Sequence, residues 1–499
     1  MTKKKFKLTI LSTLFLLHTL LLTACGTLEI GIEHTPAIVD ATRDADQATL
    51  VVTQEANPLS TPELTPTPIP AAAELRVVFV KVTEYGNNAW LWTEGEREAV
   101  SLTKDGGVGD VKISDDGKIV AFARGNGLWM VRSDGTEERQ LVSADDFAAM
   151  EPREPFEFEV VLNRFEWVPG THILAFNTRL RMEIGLVLND DLHLVNADTL
   201  ERTALLPPGE GGEFYYSPDG GQIAIVTAGS ISLVNADGSN QRDVFTYTPV
   251  ATHSEAQHYA QPVWAADSSA LRVAIPPVDP FTQPPPPTSV WHIPTDGTPA
   301  SMIGSIATGQ MKPSVISPDL RYVAHLHYDQ SDPASSPILS LLITDLDNGE
   351  TITHYPEAEL IYGWAPNSRH FAFLASLPEL PPQAQIGQLG GDVVPIYSDA
   401  DAIIDVRWID ADRYLFLAQS PKGWDIFLGE IGGPVKSVAG VVGSPPAYDF
   451  AAPPHDYAHQ LPPPLCLHPP QVTLATVAAR VLQLGSCRLR LLIAPYSGC

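Results

Sequence analysis

Short alternating apolar runs, separated by turn-forming residues, recur through the middle of the chain. Residues 214–226, FYYSPDGGQIAIV, place an aromatic run before Ser217-Pro218-Asp219-Gly220 and an alternating apolar run after it. Proline presets φ at the second position of a type I turn and glycine is favoured at the fourth, so a tight turn between two strands is predicted. Another strand then ends in an Asp237-Gly238 hairpin turn. The pattern predicts a unit of four antiparallel strands.

The same arrangement recurs along the chain at a nearly constant spacing. The apolar residues that precede the successive turns are Ile113, Trp167, Tyr216, Trp264, Ile316, Trp364 and Trp408. The steps between them are 54, 49, 48, 52, 48 and 44 residues. Self-similarity at such a period is typical of propellers and other repeat arrays. We therefore predict an all-β fold, a β-propeller of four-stranded blades.

The two ends of the repeat region predict how the ring closes. Residues 75–80, 89–92 and 98–102 form three strand patterns that resemble a unit without its first strand, and residues 442–451 could supply that strand. Closure by both chain ends removes exposed sheet edges. The sequence thus predicts eight blades over residues 75–451, or seven if the first three strands are only an edge addition.

The repeat units resemble the WD40-like repeat of the periplasmic translocation protein TolB, whose pattern is Trp-Ser-Pro-Asp-Gly followed by an apolar strand and later by Asp-Gly. Two units match it well: the one at Ser217 and the one at Ser114-Asp115-Asp116-Gly117, which Asp134-Gly135 closes. The resemblance implies a propeller. It leaves function open, because propellers host binding, scaffolding and catalysis. The amino-terminal domain of TolB has no counterpart here, so its partners are not carried over.

The amino terminus has the layout of an export signal. Lys3, Lys4, Lys5 and Lys7 precede an uncharged apolar run, residues 8–22, which is short for a membrane span. Leu22-Thr23-Ala24-Cys25 resembles the lipobox of bacterial lipoproteins. This predicts a signal peptide over 1–24, lipidation of Cys25 and anchorage to the cell envelope, at the outer membrane or the outer leaflet of the cytoplasmic membrane. The alternative is an uncleaved anchor or a chance cysteine.

The segments on either side of the predicted propeller differ from it in composition. Residues 25–74 contain alternating prolines that favour extended chain, and are predicted to be a tether. Residues 452–499 contain one acidic residue, Asp456, and are rich in proline and cysteine. We interpret this tail as a frameshift product or a poorly ordered segment; the alternative is a genuine cysteine-rich cap.

The charge balance excludes one class of partner. Against 31 basic residues the chain has 59 acidic ones, a formal charge of −28. Because phosphate binding needs a basic surface, we expect no nucleic-acid partner. A solvated acidic surface on a monomeric protein is the simplest interpretation.

The long connectors are predicted to share one face of the ring. With strands a to d in each blade, the motif turns join a to b and c to d, whereas the long segments 143–160, 246–260, 276–289, 328–337 and 376–387 join b to c or d to a. An antiparallel meander places these two classes at opposite ends. The loop-rich face is therefore the predicted binding face.

Two of these connectors supply the candidate binding residues. They combine acidic, aromatic and histidine side chains: Asp145, Asp146, Phe147, Phe156, Glu157, Phe158, Tyr247, His253 and His258. Acidic and aromatic groups together suit a cationic peptide or a sugar. The alternative is a solvated acidic loop with a few tucked phenylalanines.

Catalytic motifs are missing from the sequence. There is no Gly-x-Ser-x-Gly nucleophile elbow, and His253 and His258 do not have the His-Glu-x-x-His spacing of zinc peptidases. We predict no catalytic residue, metal site or cofactor. Two functions remain: a lipid-anchored module that binds a protein, peptide or glycan without turnover, or a propeller hydrolase or lyase acting on envelope polymers through carboxylates of the loop-rich face.

Overall fold

The computed structural model describes residues 68–150, 158–182, 185–254, 256–282, 284–308, 313–329, 338–377, 380–397 and 402–453. All of them lie in one compact unit, Pro62–Cys499. Their strands form eight separate antiparallel sheets arranged as an eight-bladed propeller. The predicted fold class and the count of eight blades are confirmed, and the alternative count of seven is wrong.

The strands follow one another blade by blade around the ring. Blade 1 takes β1 (Arg76–Thr83), β2 (Gly86–Thr93) and β3 (Val100–Ser101), with a fourth strand from the other end of the propeller. Blade 2 has β4 (Val108–Ile113), β5 (Ile119–Arg124), β6 (Leu128–Arg132) and β7 (Arg139–Val142). Blade 3 has β8 (Glu159–Trp167), β9 (Ile173–Met182), β10 (Gly185–Leu188), β11 (Leu192–Asn196) and β12 (Arg202–Leu206). Blade 4 has β13 (Glu213–Tyr216), β14 (Gln222–Val226), β15 (Ser230–Asn235) and β16 (Arg242–Thr246).

The second half of the ring repeats this order. Blade 5 has β17 (Val263–Trp264), β18 (Ala270–Ile275), β19 (Thr288–Pro294) and β20 (Ser301–Ile306). Blade 6 has β21 (Ser314–Ile316), β22 (Tyr322–Asp329), β23 (Ile338–Asp345) and β24 (Thr351–Tyr355). Blade 7 has β25 (Ala358–Trp364), β26 (His370–Leu377), β27 (Leu380–Gln388) and β28 (Val393–Pro395). Blade 8 has β29 (Ile403–Trp408), β30 (Arg413–Ser420), β31 (Gly423–Glu430) and β32 (Lys436–Val441), and the last strand is β33 (Tyr448–Ala451).

The ring closes through blade 1, as predicted. Strand β33 pairs antiparallel with β1, with Ala451 opposite Arg76 and Tyr448 opposite Phe79. Residues from opposite ends of the repeat region therefore share one sheet. This pairing covers the edge that β1 would otherwise expose.

The repeated Ser-x-Asp motif holds the turn between strands a and b. The hydroxyl of Ser317 donates to Asp319 Oδ1 at 2.6 Å and accepts from the backbone N–H of Tyr322 at 2.8 Å. The same bridge joins Ser217 to Asp219 and Ser114 to Asp116. Each of these serines is fully buried. The motif is therefore a turn lock, which explains its recurrence without any role in binding.

The a–b turns of neighbouring blades meet at one end of the ring. The backbone N–H of Gly170 donates to Asp115 Oδ2 at 2.6 Å, and that of Asp319 donates to Ser368 Oγ at 2.9 Å. We call this the turn end. The b–c and d–a connectors leave the strands at the opposite end, the loop end.

The five long connectors have the predicted topological class, but not all are loops. Segments 143–160 and 246–260 join strands d and a, and 276–289 joins b and c. Segment 376–387 is mostly sheet, because β26 and β27 continue their pairing to Leu377 opposite Leu380. The prolines of this segment suggested a loop, because proline has no backbone N–H to donate to a neighbouring strand. Proline is nevertheless accommodated in a strand at positions where no such hydrogen bond is made. Of 328–337, residues 330–337 lie outside the described residues.

One short helix occurs among the described residues. Helix α1 (Ala144–Ala149) lies in the connector between blades 2 and 3, and a capping box between Ser143 and Asp146 starts it. Phe147 packs from this helix into the core that blades 2 and 3 share. Within the described ranges no helix has the length and apolarity needed to cross a membrane.

Candidate functional site

The predicted residues of segment 143–160 have mainly structural contacts. Asp146 accepts from the Ser143 backbone N–H at 2.7 Å and pairs with Arg202 at 2.6 Å. These partners outweigh its partial burial and lower its pKa to about 2. Phe147 has no exposed surface and meets Phe176 edge-on, with ring centroids 6.0 Å apart. Asp145 is exposed.

The other predicted residues of that segment do not extend a binding surface among the described residues. Phe158 is half-buried, and Phe156 and Glu157 lie outside the described residues. Of the predicted binding residues in this segment, Asp145 is the one that combines a described position with an exposed charge. The acidic and aromatic side chains of 143–160 therefore do not form a described binding surface together.

The second connector brings its candidates close to blade 5. His253 is exposed and contacts Asp279 through Nε2 at 3.3 Å, and its ring meets Phe281 edge-on. The Tyr247 hydroxyl donates to the Thr227 carbonyl at 2.9 Å. Burial lowers the pKa of His258, whose Nε2 has no partner among the described residues. On this one connector Tyr247 and His258 are half-buried, whereas His253 is exposed.

Charged side chains link the innermost strands of five consecutive blades. Lys112 Nζ lies 2.9 Å from Glu166, and Arg164 pairs with Glu166 and Glu213 at 3.5 and 3.6 Å. Across blades 8 and 1, Arg407 pairs with Asp405 at 2.8 Å and donates to the Tyr448 carbonyl at 2.6 Å. These contacts tie one blade to the next around the central channel of the propeller.

Blades 5 to 7 lack this charge. Lys112, Glu166 and Arg407 each stand one residue before the motif residue, and the same position is Val263, Val315 and Gly363 in those blades. We call the charged side chains on the first strands of blades 8 and 1 to 4 the charged arc. The repeated blade architecture does not explain why some blades have a charged residue at this position and others do not.

Two carboxyls of the charged arc have perturbed acidity. Burial raises the pKa of Asp449 to about 6, with Glu166 adding to the rise and Lys112 and Arg407 opposing it. Asp449 Oδ2 accepts from the Ile113 backbone N–H at 3.0 Å. Burial also raises the pKa of Asp110, although Lys112 opposes it. In both groups the effect of burial on the pKa exceeds that of the nearby cations Lys112 and Arg407.

A second group of acids and aromatics lies at the loop end of blades 3 to 5. We define this mouth cluster as Asp190, Glu213, Tyr215, Tyr247 and Tyr259. Burial raises the pKa of Asp190 to about 6, and Asp191 and Glu213 add to the rise. Burial raises the pKa of Tyr259 to about 12, with Asp190 and Glu213 contributing. Tyr215, Tyr247 and Tyr259 pack against one apolar core, and the charges of Asp190 and Glu213 act on Tyr259 beside it.

The backbone fixes Asp190 while one of its carboxylate oxygens stays unsatisfied. Asp190 has φ of +49°, a left-handed conformation, and its carbonyl accepts from Gly209 N–H at 2.9 Å and Gly211 N–H at 2.6 Å. A Cβ on Gly211 would come within 2.4 Å of the Asp191 backbone, so only glycine permits this approach. Asp190 Oδ1 is buried without a hydrogen-bond partner among the described residues. Such an atom is a candidate acceptor for a ligand.

The side chain of the neighbouring Asp191 is held by hydrogen bonds within blade 3. It accepts from the Thr178 backbone N–H at 2.8 Å and the Thr178 hydroxyl at 2.6 Å, and contacts His193 Nε2 at 3.0 Å. Among the described residues, no group of three or more His, Cys, Asp or Glu side chains is placed to hold a metal ion.

Comparisons with known proteins add fold-level likeness only. No family model matches the chain, and no curated protein matches it significantly. Solved structures similar to it include an oligogalacturonate lyase in complex with manganese (16% identity, 63% of this chain and 85% of that chain, TM-score 0.41). A putative TolB from Agrobacterium tumefaciens (14%, 53% and 98%, TM-score 0.32) and a eukaryotic initiation factor (11%, 76% and 99%, TM-score 0.46) are also similar. At these values they say nothing about ligand or activity.

The sequence contained a usable signal for the charged arc. A lysine, a glutamate and an arginine stand inside apolar strands, each directly before a motif residue. Charge at such a position is unusual in a buried strand. The mouth cluster had no such signal, because its members come from three different blades.

Proposed function

We propose that the chain is an exported, lipid-anchored β-propeller that binds a cationic peptide or protein segment at the bacterial cell envelope, without turnover. The observation on which the proposal rests is the unsatisfied, buried Asp190 Oδ1 among the acids and tyrosines of the mouth cluster. Neither nucleic acid nor a second copy of the chain is required.

The course of the chain before β1 supports an orientation for the anchored protein. The backbone N–H of Ile69 donates to the Gly170 carbonyl at 2.9 Å, and that of Ala72 donates to the Asp115 carbonyl at 2.7 Å. The end of the predicted tether therefore runs along the turn end of blades 2 and 3. With Cys25 lipidated, the turn end would be nearer the lipid and the loop end would be presented to partners.

The chemistry of the mouth cluster favours a cation. An ammonium or guanidinium group would satisfy Asp190 Oδ1 and offset the burial and the neighbouring charges of Asp191 and Glu213, which together raise the Asp190 pKa. The ring of Tyr259 would pack along the aliphatic part of a lysine or arginine side chain, as the ring of Tyr215 already does with Arg164, whose Cζ lies 5.3 Å from its centroid. Glu213 is paired with Arg164 at 3.6 Å, so Asp190 is the carboxylate left for a ligand cation, and an anion at Asp190 is disfavoured.

The test measures peptide binding to the purified full chain. The probe is a fluorescein-labelled peptide of alternating lysine and alanine, with a glutamate–alanine peptide as its counterpart, and the readout is fluorescence anisotropy. We expect only the lysine peptide to bind, and its affinity to fall as pH is lowered through about 6, where Asp190 takes up a proton. Asp190→Asn should weaken binding about 10-fold.

Asp145→Asn is the matched control. It removes one negative charge from an exposed position on the α1 connector, outside the mouth cluster. Asparagine at residue 190 tolerates the left-handed conformation, so the test variant should fold. Equal weakening by both variants would assign binding to the general negative charge, and no binding of the lysine peptide would refute the proposal.

The competing proposal is a propeller hydrolase or lyase acting on envelope polysaccharide or peptide. It is tested by incubating the chain with peptidoglycan and with acidic polysaccharides and measuring new reducing ends, unsaturated products or released peptides. Turnover that disappears in Asp190→Asn would replace the binding proposal by an enzymatic one.

A further inference from the structure

A pocket of about 460 Å³ opens at the loop end of blade 1, away from the mouth cluster. The hairpin between β1 and β2 forms one wall, and β3 with the start of the next connector forms the other. Its lining residues are Thr83, Glu84, Tyr85, Asn88, Trp90, Ser101, Thr103 and Lys104. Its volume is within the range of about 300–1,000 Å³ found for small-molecule sites.

A hydrogen-bond network centred on Asn88 fixes the walls of this pocket. Asn88 Nδ2 donates to Thr83 Oγ1 at 3.2 Å, and Asn88 Oδ1 accepts from Thr103 Oγ1 and the Gly106 N–H, both at 3.0 Å. Thr103 Oγ1 in turn accepts from the Ala89 N–H at 3.0 Å. The hairpin, β2 and the following connector are thereby held together. Walls fixed in this way lose little entropy when a ligand binds.

Several groups that line the pocket take no part in this hydrogen-bond network. Trp90 Nε1 is buried and has no hydrogen-bond partner among the described residues. Tyr85, at the tip of the β1–β2 hairpin, is 72% exposed. Glu84 and Lys104, of opposite charge, are exposed at the rim. Aromatic surface, one orphaned donor and balanced rim charges thus converge on one concave site.

We propose that this blade 1 pocket binds a neutral saccharide, with a hexopyranose ring packed on Tyr85 and its hydroxyls directed to Trp90, whose ring centroid lies 4.8 Å from Lys81 Nζ. One face of such a ring carries C–H groups that pack on aromatic faces, and its hydroxyls provide acceptors for Trp90 Nε1 and partners for Glu84 and Lys104. A uronate or phosphate would meet Glu84 on a chain of net charge −28 and is disfavoured. The inference does not depend on the peptide site at the mouth cluster.

The test is isothermal titration calorimetry of the full chain with four oligosaccharides: cellotetraose, maltotetraose, chitotetraose and, as the acidic counterpart, tetragalacturonate. We expect at least one neutral oligosaccharide to bind at concentrations up to about 10 mM and the acidic one not to bind. Tyr85→Ala should weaken binding about 10-fold, and Trp90→Phe, which keeps a ring but removes the indole N–H, should weaken it about 5-fold.

Controls separate this site from the rest of the loop end. Phe281→Ala alters another exposed aromatic residue, on the b–c connector of blade 5, and should leave saccharide binding unchanged. Asp190→Asn should also leave it unchanged, whatever its effect on the lysine peptide. The proposal is overturned if no neutral oligosaccharide binds, if tetragalacturonate binds better, or if Tyr85→Ala binds as tightly as the unaltered chain.

Discussion

The indole Nε1 of Trp364, in blade 7, donates a hydrogen bond of 2.9 Å to the backbone carbonyl of Val315, in blade 6. The same contact, from the last residue of an a strand to the penultimate residue of the preceding a strand, recurs for Trp264 to Tyr215, Trp408 to Gly363 and Trp167 to Lys112. The motif tryptophan is therefore a clamp between blades. Its ring packs between them, and the hydrogen bond from its indole N–H fixes which carbonyl of the preceding blade it contacts.

Removing the indole donor should show how much the clamp contributes to the free energy of unfolding. Trp364→Phe keeps an aromatic ring in the core but leaves the Val315 carbonyl without its partner, so the free energy of unfolding should fall by about 1–3 kcal/mol in urea denaturation. Trp129→Phe is the control, because Trp129 Nε1 is already buried without a partner among the described residues. That control should be neutral or stabilising, and a larger loss for it than for Trp364→Phe would contradict the clamp.

The turn lock predicts a defined cost for losing one hydroxyl. Ser317→Ala removes the bridge to Asp319 and the acceptor for the Tyr322 N–H, and should lower the free energy of unfolding by about 1–2 kcal/mol. Ser217→Ala should cost about the same, because it breaks the same bridge in blade 4. Alanine at the exposed Ser305 should change stability little, and a similar loss there would argue against the lock.

The charged arc predicts a pH-dependent gain in stability. The folded-state pKa of Asp449 is raised to about 6, so ionising it at neutral pH costs stability, and this cost disappears as pH falls towards the unfolded-state pKa of 3.8. Asp449→Asn should therefore stabilise the protein by about 1–3 kcal/mol at pH 7.5 and by almost nothing near pH 4. Asparagine can still accept from the Ile113 N–H.

The neighbouring Asp405→Asn serves as the control. It removes the carboxylate that pairs with Arg407 at 2.8 Å, so stability at pH 7.5 should fall by about 1–3 kcal/mol. Opposite signs for the two substitutions in thermal unfolding would confirm that the arc contains both paired and unpaired carboxylates. A loss of stability in Asp449→Asn at pH 7.5 would refute the assignment.

A buried histidine in blade 6 predicts acid sensitivity. Burial lowers the pKa of His325 to about 4, with His327 adding to the drop, and Nε2 contacts Thr344 Oγ1 at 3.1 Å. A depressed histidine pKa means that the unfolded chain takes up a proton first, so stability is lost as pH falls from 6.5 towards 4. His325 should account for about 2 kcal/mol of loss between pH 7.5 and pH 5. His325→Gln should remove this part of the pH dependence in urea titrations, whereas His327→Gln should retain most of it.

The α1 connector allows the structural and binding interpretations of its residues to be separated. Phe147→Ala should lower the free energy of unfolding by about 3–5 kcal/mol, because it empties part of the core between blades 2 and 3. Asp145→Asn, two residues earlier and exposed, should leave stability within about 0.5 kcal/mol of the unaltered chain. Comparable small effects of both variants in chemical denaturation would mean that Phe147 is not a core residue.

The sequence by itself determined the repeating unit, and it favoured eight blades over seven with a ring closed by both ends of the repeat region. The unit follows from local rules, a Ser-x-Asp turn and alternating apolar strands, and the count follows from its period near fifty residues. Residues 22–25 and residues 454–499 of the tail lie outside the described residues, so the predicted anchor and the interpretation of the tail stay predictions.

Only the tertiary structure decided which loop-end residues are available to a ligand. Phe147 and Asp145 are close neighbours in the sequence, yet one is in the core and the other is exposed, because helix α1 turns them to different sides. Asp190, Glu213 and Tyr259 are far apart in the sequence and meet only because three blades bring their connectors to one rim. Burial and partner choice depend on what the rest of the ring places nearby, and the order of residues alone does not contain that information.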